Sequence, residues 1–136
     1  MFRVTFPTAR RIVRACGVYF LICGLSALFF PASWLWAAGL PTTLSGELVL
    51  TFGVIGAFML SLAGAAFLAT ANQAHYSGVT VTLMLANICD CVVTLRSVLL
   101  GGLPLAQGLV FVAVAGAWSA ALLLAYQTPS SHEAKS

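Results

Sequence analysis

The ten residues NICDCVVTLR, Asn87 to Arg96, put an amide, an acid, two thiols, a hydroxyl and a guanidinium into a chain that is otherwise largely hydrocarbon. Thr80, Asn87, Asp90 or Cys91, and Thr94 follow offsets of seven, then three or four, then three or four, so on an α-helix they make one polar stripe. An acid, an amide and a hydroxyl in such a stripe can move a proton, hold an ion, anchor the polar head of a ligand or cofactor, or clamp one helix to another by hydrogen bonds. Asn87, Asp90 and Thr94 are therefore the candidate site.

The neighbouring groups fit other roles. Arg96 lies six positions past Asp90, about 120° further round a helix, and is poorly aimed at it. A clasp with Glu47 is one reading, set against simple snorkelling of both side chains to the lipid headgroups. Cys89 and Cys91 sit about 200° apart on a regular helix and cannot grip one metal together. Cys16, Cys23, Cys89 and Cys91 all fall within or beside apolar runs, where cysteine behaves as a small hydrophobe. A thiol pair or metal site between Cys23 and the two later cysteines is geometrically conceivable, but no metal is predicted. His75 and His132 both lie outside the apolar runs, whereas heme ligation would want a histidine within a helix, and no cofactor is predicted. His75 and Tyr76 belong to a turn at the membrane surface, where amphipathic rings favour the interface. With no nucleophile and base arrangement, Gly-rich phosphate loop or paired carboxylates, an enzyme is disfavoured.

These residues must be carried by elements suited to lipid. Of 136 residues, 61% are hydrophobic and 7% charged, and the mean hydropathy is +1.04; soluble domains carry about 25% charged residues. In hydrocarbon every backbone N–H and C=O must be paired internally, which demands helices or a closed barrel. Four runs reach the roughly 20 apolar residues a spanning helix needs: about 12–30, 47–71, 79–100 and 104–126. The expected fold is an all-α membrane protein, a single antiparallel four-helix transmembrane bundle over 1–128 with a short interfacial segment after the first helix, and a polar tail at 129–136.

Punctuation supports these limits. Pro31 ends the first run, and Thr42, Thr43 or Ser45 can cap the second, whose first turn holds Glu47. Pro104 suits the first turn of the fourth. Trp34 and Trp36 in the first link suit the headgroup level. Arg10 and Arg11 just before the first apolar run, with Arg14 at its start, predict an N-terminus on the cytoplasmic side of a bacterial inner membrane, with the C-terminus on the same side after four crossings. The apolar region outruns the roughly 7 to 15 residues of a signal-peptide core. A net charge of +3 is too small for a nucleic-acid surface.

Helices in lipid associate through small residues that let backbones approach. Gly53, Ala57, Ser61 and Ala65, continued by Ala69 and flanked by Gly56 and Gly64, form one such ridge in the second span. Ala113, Ala117 and Ala121, continued by Ala125, form another in the fourth. They could serve inside the bundle or between chains. Gly17 and Gly24, seven apart, share a face of the first span. Asp90 falls about 16 Å into the third span, near mid-bilayer, where a bare carboxylate costs at least about 2.5 kcal/mol, so it must be protonated, partnered or hydrated.

The outline GVYFLICGLSALFFP, then AAGLP, three further spans and LLGGLP before the last, resembles small four-span bacterial membrane proteins of the DoxX-like type. The resemblance implies the four-span fold and no single agreed activity. The first span lacks the acid on which the small multidrug exporters depend. Three functions stay open: an accessory or structural subunit of a larger membrane complex or homo-oligomer; a proton- or ion-coupled transporter or channel component using Asp90 and Asn87; and a lipid-, quinone- or pigment-binding membrane protein. By elimination the first is the leading expectation. Its partners are the bilayer and a membrane protein or a second copy, and not nucleic acid.

Overall fold

The structure, a computed structural model, describes residues 5–71 and 75–126. It holds five helices: α1 Phe6–Phe29, α2 Pro31–Ala37, α3 Gly46–Ala71, α4 Tyr76–Leu99 and α5 Leu105–Tyr126. Four are long and apolar enough to cross a membrane. The shortest of these, at 22 residues, measures about 33 Å against a hydrocarbon core of about 30 Å. The fold is the expected all-α four-span bundle, with α2 as the short segment after the first span. The expected tail at 129–136 lies outside the described residues.

Local chemistry sets the ends. α1 begins six residues earlier than the apolar run. Pro7 occupies its first turn, where the missing N–H costs nothing, and arginine is a good helix former, so Arg10 and Arg11 ride on the helix with Arg14 instead of preceding it. At the other end Pro31 has no N–H and crowds Phe30 out of helical geometry, at φ −134° and ψ 54°. The chain turns there and Pro31 starts α2. Ser45 is the cap of α3, its Oγ accepting from the Leu48 N–H at 3.2 Å. The two positive-φ glycines among the described residues each close a helix. Gly39, at φ 70°, lets Leu40 N–H reach the Leu35 carbonyl at 2.8 Å; Gly101, at φ 72°, lets Gly102 N–H reach the Ser97 carbonyl at 2.9 Å. Both are helix-ending turns in which a left-handed residue satisfies carbonyls left over by the last turn.

The long helices alternate in direction and pair off. α1 lies along α3, α4 along α5, and α1 also meets α5. The α1–α3 seam is the tightest. A Cβ on Gly17 would stand 2.9 Å from the Ala66 Cβ; one on Gly24 would stand 3.0 Å from the Gly56 carbonyl oxygen; one on Gly56 would stand 2.8 Å from the Gly24 carbonyl oxygen. Gly108 on α5 rests against Val98 on α4 in the same way.

The small residues that pack within the chain are thus only partly those of the expected ridges, Ala69 and Ala125 being shared. Gly56, Ala63, Ala66 and Ala69 of α3 are buried, whereas Ala57 and Ser61 are exposed and Gly53 and Ala65 only half-buried. On α5, Ala115, Leu122 and Ala125 are buried, Ala113 and Ala117 are exposed, and Ala121 is half-buried. With 3.6 residues per turn, neighbouring stripes of small residues are nearly equivalent in a helix this rich in alanine and glycine, so only the neighbour selects between them.

Side chains fill the bundle unevenly. Ala9, Val13, Cys16, Phe20, Leu62, Ala66, Leu83 and Leu122 form one continuous core. All belong to the half of the bundle around the N-terminal half of α1. Outward, Ile22, Leu50, Val54, Phe58, Leu68, Val92 and Leu109 are exposed, a coat that only hydrocarbon would leave without penalty.

Gly56→Leu is expected to destabilise the protein by about 1–3 kcal/mol, because the added side chain meets fixed backbone. Gly64→Leu, which meets nothing within 4 Å, is the control with the same gain in helix propensity and should be near neutral. Unfolding in detergent followed by circular dichroism measures the difference, and equal stabilities would contradict the α1–α3 seam.

Candidate functional site

The half of the bundle opposite the packed core is hollow. A cavity of about 620 Å³ runs from the middle of the bundle to α2, walled by α1, α3, α4 and α5. Its volume is in the range of small-ligand sites, about 300–1,000 Å³. Most of its wall is apolar, including Phe52 and Met59 from α3, Val93 from α4, and Val110, Phe111 and Val114 from α5.

Polar groups line it in two stripes. Tyr19, Cys23 and Ser26 come from α1 at offsets of four and three, and Asp90, Thr94 and Ser97 come from α4 at the same offsets. Each stripe is one helix face, and α1 and α4 run in the same direction, so both stripes line the same space toward α2. Asp90 lies close enough to Tyr19 and Cys23 for its charge to act on both. No ion pair or hydrogen bond engages its carboxylate among the described residues. The acid is exposed and borders the cavity; a mid-membrane carboxylate requires a partner, water or a proton.

Asn87, one turn away, has a different environment. It is 3% exposed, its Nδ2 donates to the Leu83 carbonyl at 2.8 Å, and its side chain lies beside the Cys16 thiol. Thr80 is equally buried, and its hydroxyl donates to the Tyr76 carbonyl at 2.7 Å. The stripe seen in the sequence is divided: Thr80, Asn87 and Thr94 are buried, whereas Asp90 is exposed. Thr80 and Asn87 belong to the packed half, Asp90 and Thr94 to the cavity.

α2 roofs the cavity through Ser33, Trp34, Leu35 and Ala37. Ser26 fixes the roof: its Oγ donates to the Cys23 carbonyl at 2.9 Å and accepts from Trp34 Nε1 at 3.1 Å. The tryptophan pair therefore separates. Trp36 is 76% exposed, as an interfacial anchor should be. Trp34 is half-buried and turned inward, a departure from the expected anchor, because the turn at Pro31 folds α2 back over α1 and brings its indole to Ser26. Tyr76 departs from expectation too. It opens α4 with its ring 5.6 Å from Phe6 and only 7% exposed, while His75 is exposed.

The other expectations resolve as follows. Glu47 and Arg96 are both exposed and form no ion pair with each other. Glu47 sits on α3, which meets α4 far less than it meets α1, so the clasp lacks the helix contact it needs. The four cysteines are free thiols: Cys89 is exposed, Cys91 faces the Val112 carbonyl of α5 at 3.7 Å, and Cys23 borders the cavity. Arg10, Arg11 and Arg14 are exposed near the start of α1. The α1 contribution, Tyr19, Cys23 and Ser26, is the part of the site that sequence reasoning missed. Its helical spacing was visible, but nothing marks a tyrosine, a thiol and a serine in an apolar run as more than ordinary packing.

Ser26→Ala is expected to free the Trp34 indole, to cost about 1 kcal/mol of stability, and to shift Trp34 emission to the red. A Trp36→Phe/Trp118→Phe background isolates that emission; an unchanged spectrum would mean that Ser26 does not hold the roof. Compared with known proteins, the chain matches no family model, no curated protein and no solved structure.

Proposed function

We propose that this protein binds a small, largely apolar molecule within the membrane, its polar head held at Asp90 and its apolar part in the cavity beneath α2. The observation that carries this reading is a cavity of about 620 Å³ whose wall is mostly hydrocarbon and whose unpartnered acid lies at its inner end. Apolar walls with a few convergent polar groups are the usual design of small-molecule sites. A channel is less well supported, because the core from Ala9 to Phe20 and from Tyr76 to Leu83 fills the other half of the bundle and continues no path from Asp90. Binding therefore ranks ahead of the subunit reading that elimination favoured. The arginines on the first turns of α1 support a cytoplasmic N-terminus in a bacterial inner membrane.

Two probes of equal reach test the proposal: decylubiquinone, with a neutral accepting head, and dodecylamine, with a cationic one. Saturable changes in Trp34 emission with at least one of them are expected. Asp90→Leu should weaken that binding roughly tenfold to a hundredfold, the worth of a hydrogen bond to a charged or strongly polar partner. Asp90→Asn should spare a neutral head and abolish any preference for the cation. Binding of neither probe, or binding indifferent to Asp90→Leu, would refute the assignment.

A second reading has its own observation. The ridge of Gly53, Ala57, Ser61 and Ala65 on α3, and that of Ala113, Ala117 and Ala121 on α5, leave exposed small residues with nothing of this chain against Gly53 or Gly116. They support docking onto a larger membrane complex or a second copy. Ala57→Leu with Ser61→Leu is expected to shift the mass of the detergent-purified assembly toward the single chain without loss of helicity; an unchanged mass would remove α3 from that interface.

A further inference from the structure

The second feature without an explanation lies at the opposite end of the molecule from α2. Pro7, Arg10, Arg11 and Arg14 share one face of the first turns of α1, and with Thr70 near the end of α3 they line a pocket of about 220 Å³. Arg10 Nη2 donates to the Thr70 carbonyl, one of the last carbonyls of α3, so it ties the two helix ends together and offsets the negative end of the α3 dipole. Its position is thereby fixed. Arg11 and Arg14 have no side-chain partner among the described residues.

The charges at this end have no protein counterpart among the described residues. The chain has three acidic residues, Glu47, Asp90 and Glu133. Asp90 borders the distant cavity, Glu47 opens α3 about 35 Å from Thr70 at about 1.5 Å per residue, and Glu133 lies outside the described residues. α1, at 24 residues, is about 36 Å long against a hydrocarbon core of about 30 Å, so its first turns lie near the membrane face, from which long arginine side chains reach the lipid phosphates.

We infer that this pocket binds the phosphate of an anionic lipid headgroup, with Arg11 and Arg14 as the charged donors and Arg10 held in place by Thr70 as the third. The forked guanidinium suits phosphate oxygens, and basic pockets between spanning helices at a membrane face are suited to such heads.

The full chain, purified in a neutral detergent, is to be titrated with short-chain phosphatidylglycerol and, separately, with phosphatidylcholine of the same acyl length, with bound lipid counted by native mass spectrometry. Retention of phosphatidylglycerol at least about tenfold stronger than phosphatidylcholine is expected, weakened about tenfold or more by Arg11→Gln/Arg14→Gln and weakened by salt. Arg11→Lys/Arg14→Lys keeps the charge and should bind better than the glutamine pair; it serves as the folded comparison if the glutamine pair unfolds. Equal retention of the two lipids, or lysine and glutamine pairs that bind alike, would overturn the inference. Displacement of the lipid by inorganic phosphate would assign the pocket to free phosphate instead. A gain in lipid binding on Glu133→Gln would show the chain's own tail in the site and overturn it as well.

Discussion

At the crossing of α1 and α3, Gly24 and Gly56 meet backbone to backbone, each carbonyl oxygen only 2.8–3.0 Å from where the other's Cβ would stand. Apolar surface gains little by leaving one hydrocarbon for another, so association in lipid rests on dispersion and on close polar contacts between backbones. Only a hydrogen in place of a side chain permits that approach, and the geometry suits weak Cα–H to carbonyl contacts. Gly17 against Ala66 extends the seam by two turns. Because α1 and α3 are locked at this spacing, α1 can offer its remaining faces to α5 and, past Ser26, to α2.

The same seam explains why the bundle is full at one end and hollow at the other. Near the start of α1, bulky Val13, Phe20, Leu83 and Leu122 interdigitate. Toward α2 the α1 residues facing inward are Tyr19, Cys23 and Ser26, the last two of which are small, while the facing positions of α4 are Asp90, Thr94 and Ser97. Short polar side chains leave volume that long apolar ones would have taken. The hollow and its polarity are one consequence of one choice of residues, and the roof made by α2 depends on the turn forced by Pro31 and on the Trp34 to Ser26 hydrogen bond.

The charged groups keep to positions that lipid tolerates. Arg10, Arg11 and Arg14 cluster at one end of α1, Glu47 and Arg96 lie near the ends of their helices at the other face, and Asp90 alone stands at mid-depth, beside a space able to hold water or a ligand. The distribution makes the two ends of the molecule chemically unlike. One end is a cationic surface with a small pocket; the other holds a larger, mainly apolar cavity.

Composition and periodicity were sufficient for the medium, the four spans, the short segment after the first and the polar stripe of the third. Each of these follows from local rules: the run length needed to cross hydrocarbon, the missing N–H of Pro31 and the stripe from Thr80 to Thr94. The starts of the helices were legible only to within a turn, and α1 took in its arginines because helix propensity does not stop where hydropathy does. Tertiary structure alone decided which small residues of α3 are the packed ones, since Gly53, Ala57 and Ser61 are as suitable as Gly56, Ala63 and Ala66 until α1 is laid against one side. It also decided that Trp34 turns inward, that Glu47 and Arg96 stay apart, and that Asp90 faces a cavity shared with Tyr19, Cys23 and Ser26. A cavity is volume that several helices jointly leave unfilled, and no single stretch of sequence carries that information.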